Sequence, residues 1–97
     1  MEYIEYDIKQ IINEKLKGII SPNSVELNCE VFGTDLNNVY DSYIYYSDEV
    51  DGIIDVYADF NCTVIEGYEE KLTRGSFKGR FILDYKSFIE DSCEVSI

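Results

Sequence analysis

The sequence predicts an α+β domain in which one N-terminal amphipathic helix packs on an antiparallel meander of four or five strands. Two observations carry this expectation. Residues 52–66 place Ile54, Val56, Ala58, Phe60, Cys62 and Val64 on one parity and Asp55, Asp59, Asn61 and Thr63 on the other, which is the period-two pattern of a long strand with one dry face. Residues 2–17 place Ile4, Ile8, Ile11, Ile12 and Leu16 at helical spacing, and a single apolar stripe of that kind has to be covered by a sheet. The connections between strands are short, which excludes parallel neighbours because these need crossovers of about a dozen residues or more.

The helix is expected over residues 2–17, with Glu5 and Lys9 four apart on its polar side. Lys15 and Lys17 suit the negative end of its dipole, Gly18 suits the residue after its end, and Pro22 prevents continuation. A first strand is expected at 24–32, where Val25, Leu27, Cys29 and Val31 alternate with Glu26, Asn28 and Glu30. Gly33 to Asn38 is turn chemistry. Residues 39–46 form a second strand, aromatic enough for a sheet but with tyrosine on both parities. Residues 47–52 turn into the central strand at 52–66, and 67–73 form a loop. A fourth strand is expected at 74–85, from Phe77, Phe81, Leu83 and Tyr85 against Lys78, Arg80 and Asp84, and a short last strand at 93–97. The layout is similar in outline to cystatin-like folds, in which a helix lies across a meander, but fold similarity carries no function.

Ninety-seven residues suit one domain, 1–97, and at that size a chain buries roughly 65% of its unfolded surface, enough for one core. Apolar content of 45%, six glycines and one proline argue for a folded chain despite a net charge of −12. No apolar run approaches the roughly 18 residues of a membrane span. The start, Met-Glu-Tyr-Ile-Glu-Tyr-Asp, has neither the basic nor the apolar region of a signal peptide. A cytoplasmic location is expected. Cys29, Cys62 and Cys93 are odd in number and sit among apolar strand positions, so reduced, buried thiols are expected over a lone disulfide. The abundance of Ile, Asn, Lys, Asp and Tyr suits an AT-rich bacterial or phage genome.

Charge is unevenly distributed. Residues 18–70 hold twelve acids and no base, whereas 71–86 hold five bases and one acid. Several of the acids fall on the outward parity of neighbouring strands, where spacings of about 5–7 Å lie inside the Debye length of roughly 8 Å. Repulsion of this sort costs stability and is expected either to serve solubility or to meet a basic partner. Lys71, Arg74, Lys78, Arg80 and Lys86 are expected to pair across the sheet with the acidic central strand rather than to bind nucleic acid, since phosphate neutralisation needs a net basic surface.

The absence of histidine removes the commonest general base and the usual zinc ligands. The cysteines lack paired metal spacing, and no phosphate loop occurs. Asp48-Glu49-Val50-Asp51-Gly52 resembles half a calcium loop, but Ala58 stands where a bidentate acid is required. No catalytic residue, cofactor or metal is therefore assigned, and the chain is expected not to be an enzyme. The expectation is an acidic binding protein, in its most concrete form a phage or mobile-element inhibitor of the anti-CRISPR or anti-restriction type, occluding the basic nucleic-acid-binding surface of a defence effector. Asp41, Asp51, Asp55, Tyr57 and Asp59 are the expected contact residues. The alternatives are an immunity protein neutralising a toxin, or an accessory subunit that dimerises through the second strand's tyrosines or an uncovered sheet edge.

Overall fold

A computed structural model describes residues 2–27 and 44–97. Helix α1 (Glu2–Lys15) precedes strands β1 (Glu26–Leu27), β2 (Ile44–Tyr46), β3 (Ile53–Glu66), β4 (Glu69–Ile82) and β5 (Ser87–Phe88). A 3-10 turn (Glu90–Ser92) and strand β6 (Glu94–Ser96) complete the chain. The fold is α+β, with a meander-like antiparallel sheet. Its centre is the β3–β4 hairpin, in register from Ile53 opposite Ile82 to Glu66 opposite Glu69. β1 and β2 both pair with the other edge of β3, at Phe60–Asn61 and Val56–Ala58 respectively. β5 and β6 both pair with the far edge of β4, at Phe81–Ile82 and Ser76–Lys78. Among the described residues the six segments therefore make four ranks. Among the described residues no helix is long and apolar enough to cross a membrane.

Period decides which side of each element is dry. Ile4, Ile8 and Ile12 of α1, with Leu16 just beyond its end, are buried against the inner face of the sheet, where Ile54, Val56, Ala58, Phe60 and Cys62 of β3 and Phe77 and Phe81 of β4 are buried in turn. Burial of one such large side chain contributes about 2–3 kcal/mol. Phe88 of β5 meets Phe77 and Phe81 edge to face, at centroid distances of 5.4 and 5.1 Å, the arrangement that the ring quadrupoles favour. Cys62 and Cys93 are buried free thiols.

The two tight turns follow from backbone freedom. Val50 and Ile53 exchange both backbone hydrogen bonds around Asp51 and Gly52, whose φ angles of 54° and 76° are those of a type I′ turn. Gly67, at φ 61°, supplies the positive angle needed at the first central position of the Glu66–Glu69 turn.

At three places among the described residues a serine hydroxyl stands in for a neighbouring strand beside the hairpin. Thr63 accepts from the Ser21 N–H (2.8 Å) and donates its own N–H to Ser24 Oγ (3.1 Å). Asp55 accepts from the Ser47 N–H (2.9 Å) and donates to Ser47 Oγ (2.8 Å). Arg80 accepts from the Ile89 N–H (2.8 Å) and donates to Ser92 Oγ (2.9 Å). Each hydroxyl satisfies an amide that the interrupted ladder would leave open.

Several boundaries differ from the sequence expectation. The helix ends at Lys15 instead of 17. The expected loop 67–73 is strand from Glu69 onward, and the expected strand 74–85 stops at Ile82, where residues 83–86 turn with Lys86 at φ 52°. β5 and the 3-10 turn were not expected, and β6 occupies 94–96 of the expected 93–97. Of the expected strands 24–32 and 39–46, Glu26–Leu27 and Ile44–Tyr46 are strand; 28–43 lie outside the described residues.

Candidate partner-binding face

The sheet face opposite α1 is exposed, and β3 delivers Asp55, Tyr57 and Asp59 to it at successive same-face positions. Tyr57 is 40% exposed, while Asp55 and Asp59 are half-buried. Three of the five expected contact residues thus share a face. Asp51 does not join them: it sits in the type I′ turn at one end of β3, next to exposed Asp48 and Glu49. The same turn replaces the half calcium loop, because Asp51 and Gly52 are the two central residues of a closed two-residue turn and cannot wrap an ion. Asp41 lies outside the described residues.

β4 sets bases directly beside this row. Arg80 faces Asp55 in register, with Nε 3.5 Å from Oδ1. Lys78 faces Tyr57, its Nζ 5.8 Å from the ring centroid. Asp59 faces Ser76, and Ser76 faces Ser96. The cross-sheet pairing expected of the basic stretch is therefore present at Asp55–Arg80, an exposed pair worth a few tenths of a kcal/mol. Glu94 beside Lys78 and Glu26 beside Asn61 extend the face, with Arg74 on the other side of Asn61. Acids and bases alternate across this surface, and it is not a bare row of carboxylates.

Uncompensated acid collects instead at the ends of the hairpin. Asp48, Glu49 and Asp51 are exposed around one turn, and Glu66, Glu69 and Glu70 around the other, where Lys71 is the neighbouring base. Tyr68 projects fully into solvent at this second tip, with Ile65 and Leu72 also exposed. Sequence reasoning passed over the tip because Glu69 to Thr73 show no alternation, although Glu66-Gly67-Tyr68-Glu69 carries a legible turn signal in Gly67.

A groove of about 480 Å³ runs between α1 and the β5 region, with Ile11, Phe88 and Cys93 on its floor and Asp7, Glu14 and Glu90 on its rim. Burial pushes the Cys93 thiol up from its ordinary value, against smaller opposing effects of a Ser92 hydrogen bond and the Lys15 charge. Burial raises Cys62 in the same way. Both thiols are thereby held in the protonated, unreactive form. Among the described residues no group of three or more Cys, Asp or Glu side chains is placed to hold a metal ion.

No protein-family model, curated protein or solved structure matches the chain.

Proposed function

We propose that this chain is a non-enzymatic acidic binding protein that docks on a basic surface of another protein. The observation carrying this reading is the placement of the acids: those of residues 44–70 all reach the surface, and among the described residues the core contains no buried polar or charged residue. In its most concrete version the partner is a cytoplasmic defence effector, and the chain is a phage or mobile-element inhibitor that occludes its nucleic-acid-binding surface. Tyr57 supplies rigid amphipathic contact area in the middle of the exposed face, with Asp59 beside it and the Asp48–Asp51 turn at its end. The test is simultaneous charge reversal, Asp55→Lys with Asp59→Lys, in binding to a panel of purified restriction nucleases and RNA-guided nuclease complexes. The reading expects weaker affinity and a shallower salt slope; unchanged affinity and slope would place the contact elsewhere.

The Asp55–Arg80 and Tyr57–Lys78 neighbours favour one second reading. A mixed-charge face suits a shaped protein interface better than it suits phosphate imitation. That is the character of an immunity protein bound to its toxin, and such binding would ignore competitor DNA.

A further inference from the structure

The core leaves one apolar residue of the helix half-covered. Ile4, Ile8 and Ile12 form the buried stripe of α1, and Ile11 stands to one side of it, packed against the core but only half-buried. Asp7 lies four residues before Ile11 and Glu14 three after it, spacings that bring all three to one flank of the helix. β5 supplies the facing wall. Phe88 packs edge to face on Phe77 and Phe81 and is itself half-buried, and the 3-10 turn that follows it brings Glu90 to the same place.

The groove of about 480 Å³ between these walls thus has an apolar floor and an acidic rim. Its volume lies within the roughly 300–1,000 Å³ of ligand sites. Lys15 is the one base among its lining residues, so two of the three acidic charges are left uncompensated. None of the three acids makes an ion pair with another described residue.

Three properties select the occupant. The rim repels fatty acids, phosphates and a second copy of a chain at −12, and it attracts a cation. The floor rewards an apolar side chain, which it removes from water. A backbone edge borders the same groove. Ile89 donates its N–H to the Arg80 carbonyl, so Phe88, one residue back, turns its own N–H and C=O away from β4. Among the described residues no strand pairs with that side of β5. A peptide can use such a donor and acceptor together, whereas a small organic cation has no matching pair.

We propose that the groove binds a basic, unstructured segment of another protein. One leucine-sized side chain enters between Ile11 and Phe88, lysines or arginines on either side of it meet Asp7, Glu14 and Glu90, and the Phe88 backbone is the hydrogen-bonding contact, as in strand addition to a sheet edge. One anchor and a few exposed ion pairs make the site weak, with a Kd of about 0.1–1 mM for a short peptide. The inference does not rest on the docking reading. The groove opens beside α1, whereas Asp55, Tyr57 and Asp59 stand on the opposite face of the sheet.

Titration of the nitrogen-15-labelled full chain with three capped pentapeptides, followed by NMR, tests it: Lys-Lys-Leu-Lys-Lys, the same peptide with alanine in place of leucine, and Glu-Glu-Leu-Glu-Glu. The amides of Ile11, Phe88, Glu90 and Cys93 should shift saturably with the first. The alanine peptide measures the general attraction of lysines to an acidic chain and should bind about tenfold more weakly or less well still. The acidic peptide should cause no shift. Glu14→Lys and Glu90→Lys, both at exposed positions, should each weaken the leucine peptide about three- to tenfold, and far-UV circular dichroism checks that they fold. Asp55→Lys with Asp59→Lys should leave the groove shifts in place, which separates this site from the docking face. A leucine peptide that leaves those four amides unmoved, or binds no better than the alanine peptide, would overturn the proposal. So would indifference to both single reversals, or loss of the groove shifts in the Asp55–Asp59 variant.

Discussion

Gly75 sits on the inner side of β4 directly opposite Phe60, and its missing side chain is what leaves room for that ring in the core. A Cβ at this position would stand 2.5 Å from Phe60 Cζ, 2.7 Å from the Ser96 carbonyl oxygen and 2.8 Å from Ile97 Cγ2. Ordinary contact needs about 3.5–4 Å, so Gly75→Ala must move a fully buried ring by about 1 Å and push the end of β6 away from the sheet. Overpacking of this kind costs about 1–3 kcal/mol. The loss of unfolded-chain freedom returns about 0.4–1 kcal/mol, for a net destabilisation of about 1–2 kcal/mol. In a chain of this size that corresponds to a fall in Tm of roughly 4–15 °C. Gly79→Ala is the control. Its Cβ would meet only side chains, Phe77 Cζ at 3.0 Å and Cys93 Sγ and Phe88 Cδ1 at 3.1 Å. Those can yield by a few tenths of an ångström, so Gly79→Ala should cost less than Gly75→Ala. Urea unfolding followed by far-UV circular dichroism measures both. The combination of Phe60→Leu with Gly75→Ala removes the clashing ring atom, so the pair should be less destabilising than the sum of the singles by about 0.5–1 kcal/mol. A Gly75→Ala protein as stable as the wild type, or strict additivity with Phe60→Leu, would refute the packing argument.

Other consequences are open to equally direct checks. Ser24→Ala and Ser47→Ala each leave a part-buried ladder amide without its acceptor and should cost about 1–2 kcal/mol in urea unfolding; a smaller loss is expected for Ser92→Ala, because water can reach the more exposed Arg80 amide. Gly52→Ala forces an L-residue to φ 76° in the type I′ turn and should cost about 1–2 kcal/mol, with Tm as the readout. Cys62 and Cys93 should resist a thiol reagent at pH 8 in the native state and react in urea, as mass spectrometry of the labelled peptides will tell. Burial raises both thiols above their ordinary value, so the folded state holds protons that the unfolded chain releases first. Their contribution to stability is complete below about pH 9 and is lost as pH rises further, which a pH series of unfolding midpoints measures.

The parts of this fold legible in the sequence are those where one side of an element is dry. Ile4, Ile8, Ile12 and Leu16, and the Ile54 to Cys62 alternation, mark α1 and β3 because burial imposes the period directly. The same logic goes silent at Glu69–Arg74: the hairpin there extends past the core, both faces are wet, and nothing in the residue pattern distinguishes strand from loop. β5 and β6 are two and three residues long, too short for any period, and exist because Phe81 and Lys78 offer an edge to pair with. The candidate face was partly legible for the same reason. Parity puts Asp55, Tyr57 and Asp59 together, whereas Asp51 sits in the turn expected at 47–52 and so lies off their face. The neutralisation of Asp55 by Arg80 depends on register across the hairpin. That register is set by a two-residue turn at Gly67 and Tyr68, where the residue pattern suggested a longer loop.

The claim on which the account turns is that the acidic surface occupies a basic, nucleic-acid-binding surface of another protein. The most direct measurement is a competition titration, in which the chain is bound to a nuclease effector that it recognises and duplex DNA is added at several salt concentrations. The account predicts that DNA displaces the chain and that its affinity falls steeply with salt. Tight binding indifferent to both DNA and salt would contradict it, and would mark the charge as solubilising and the interface as one of shape.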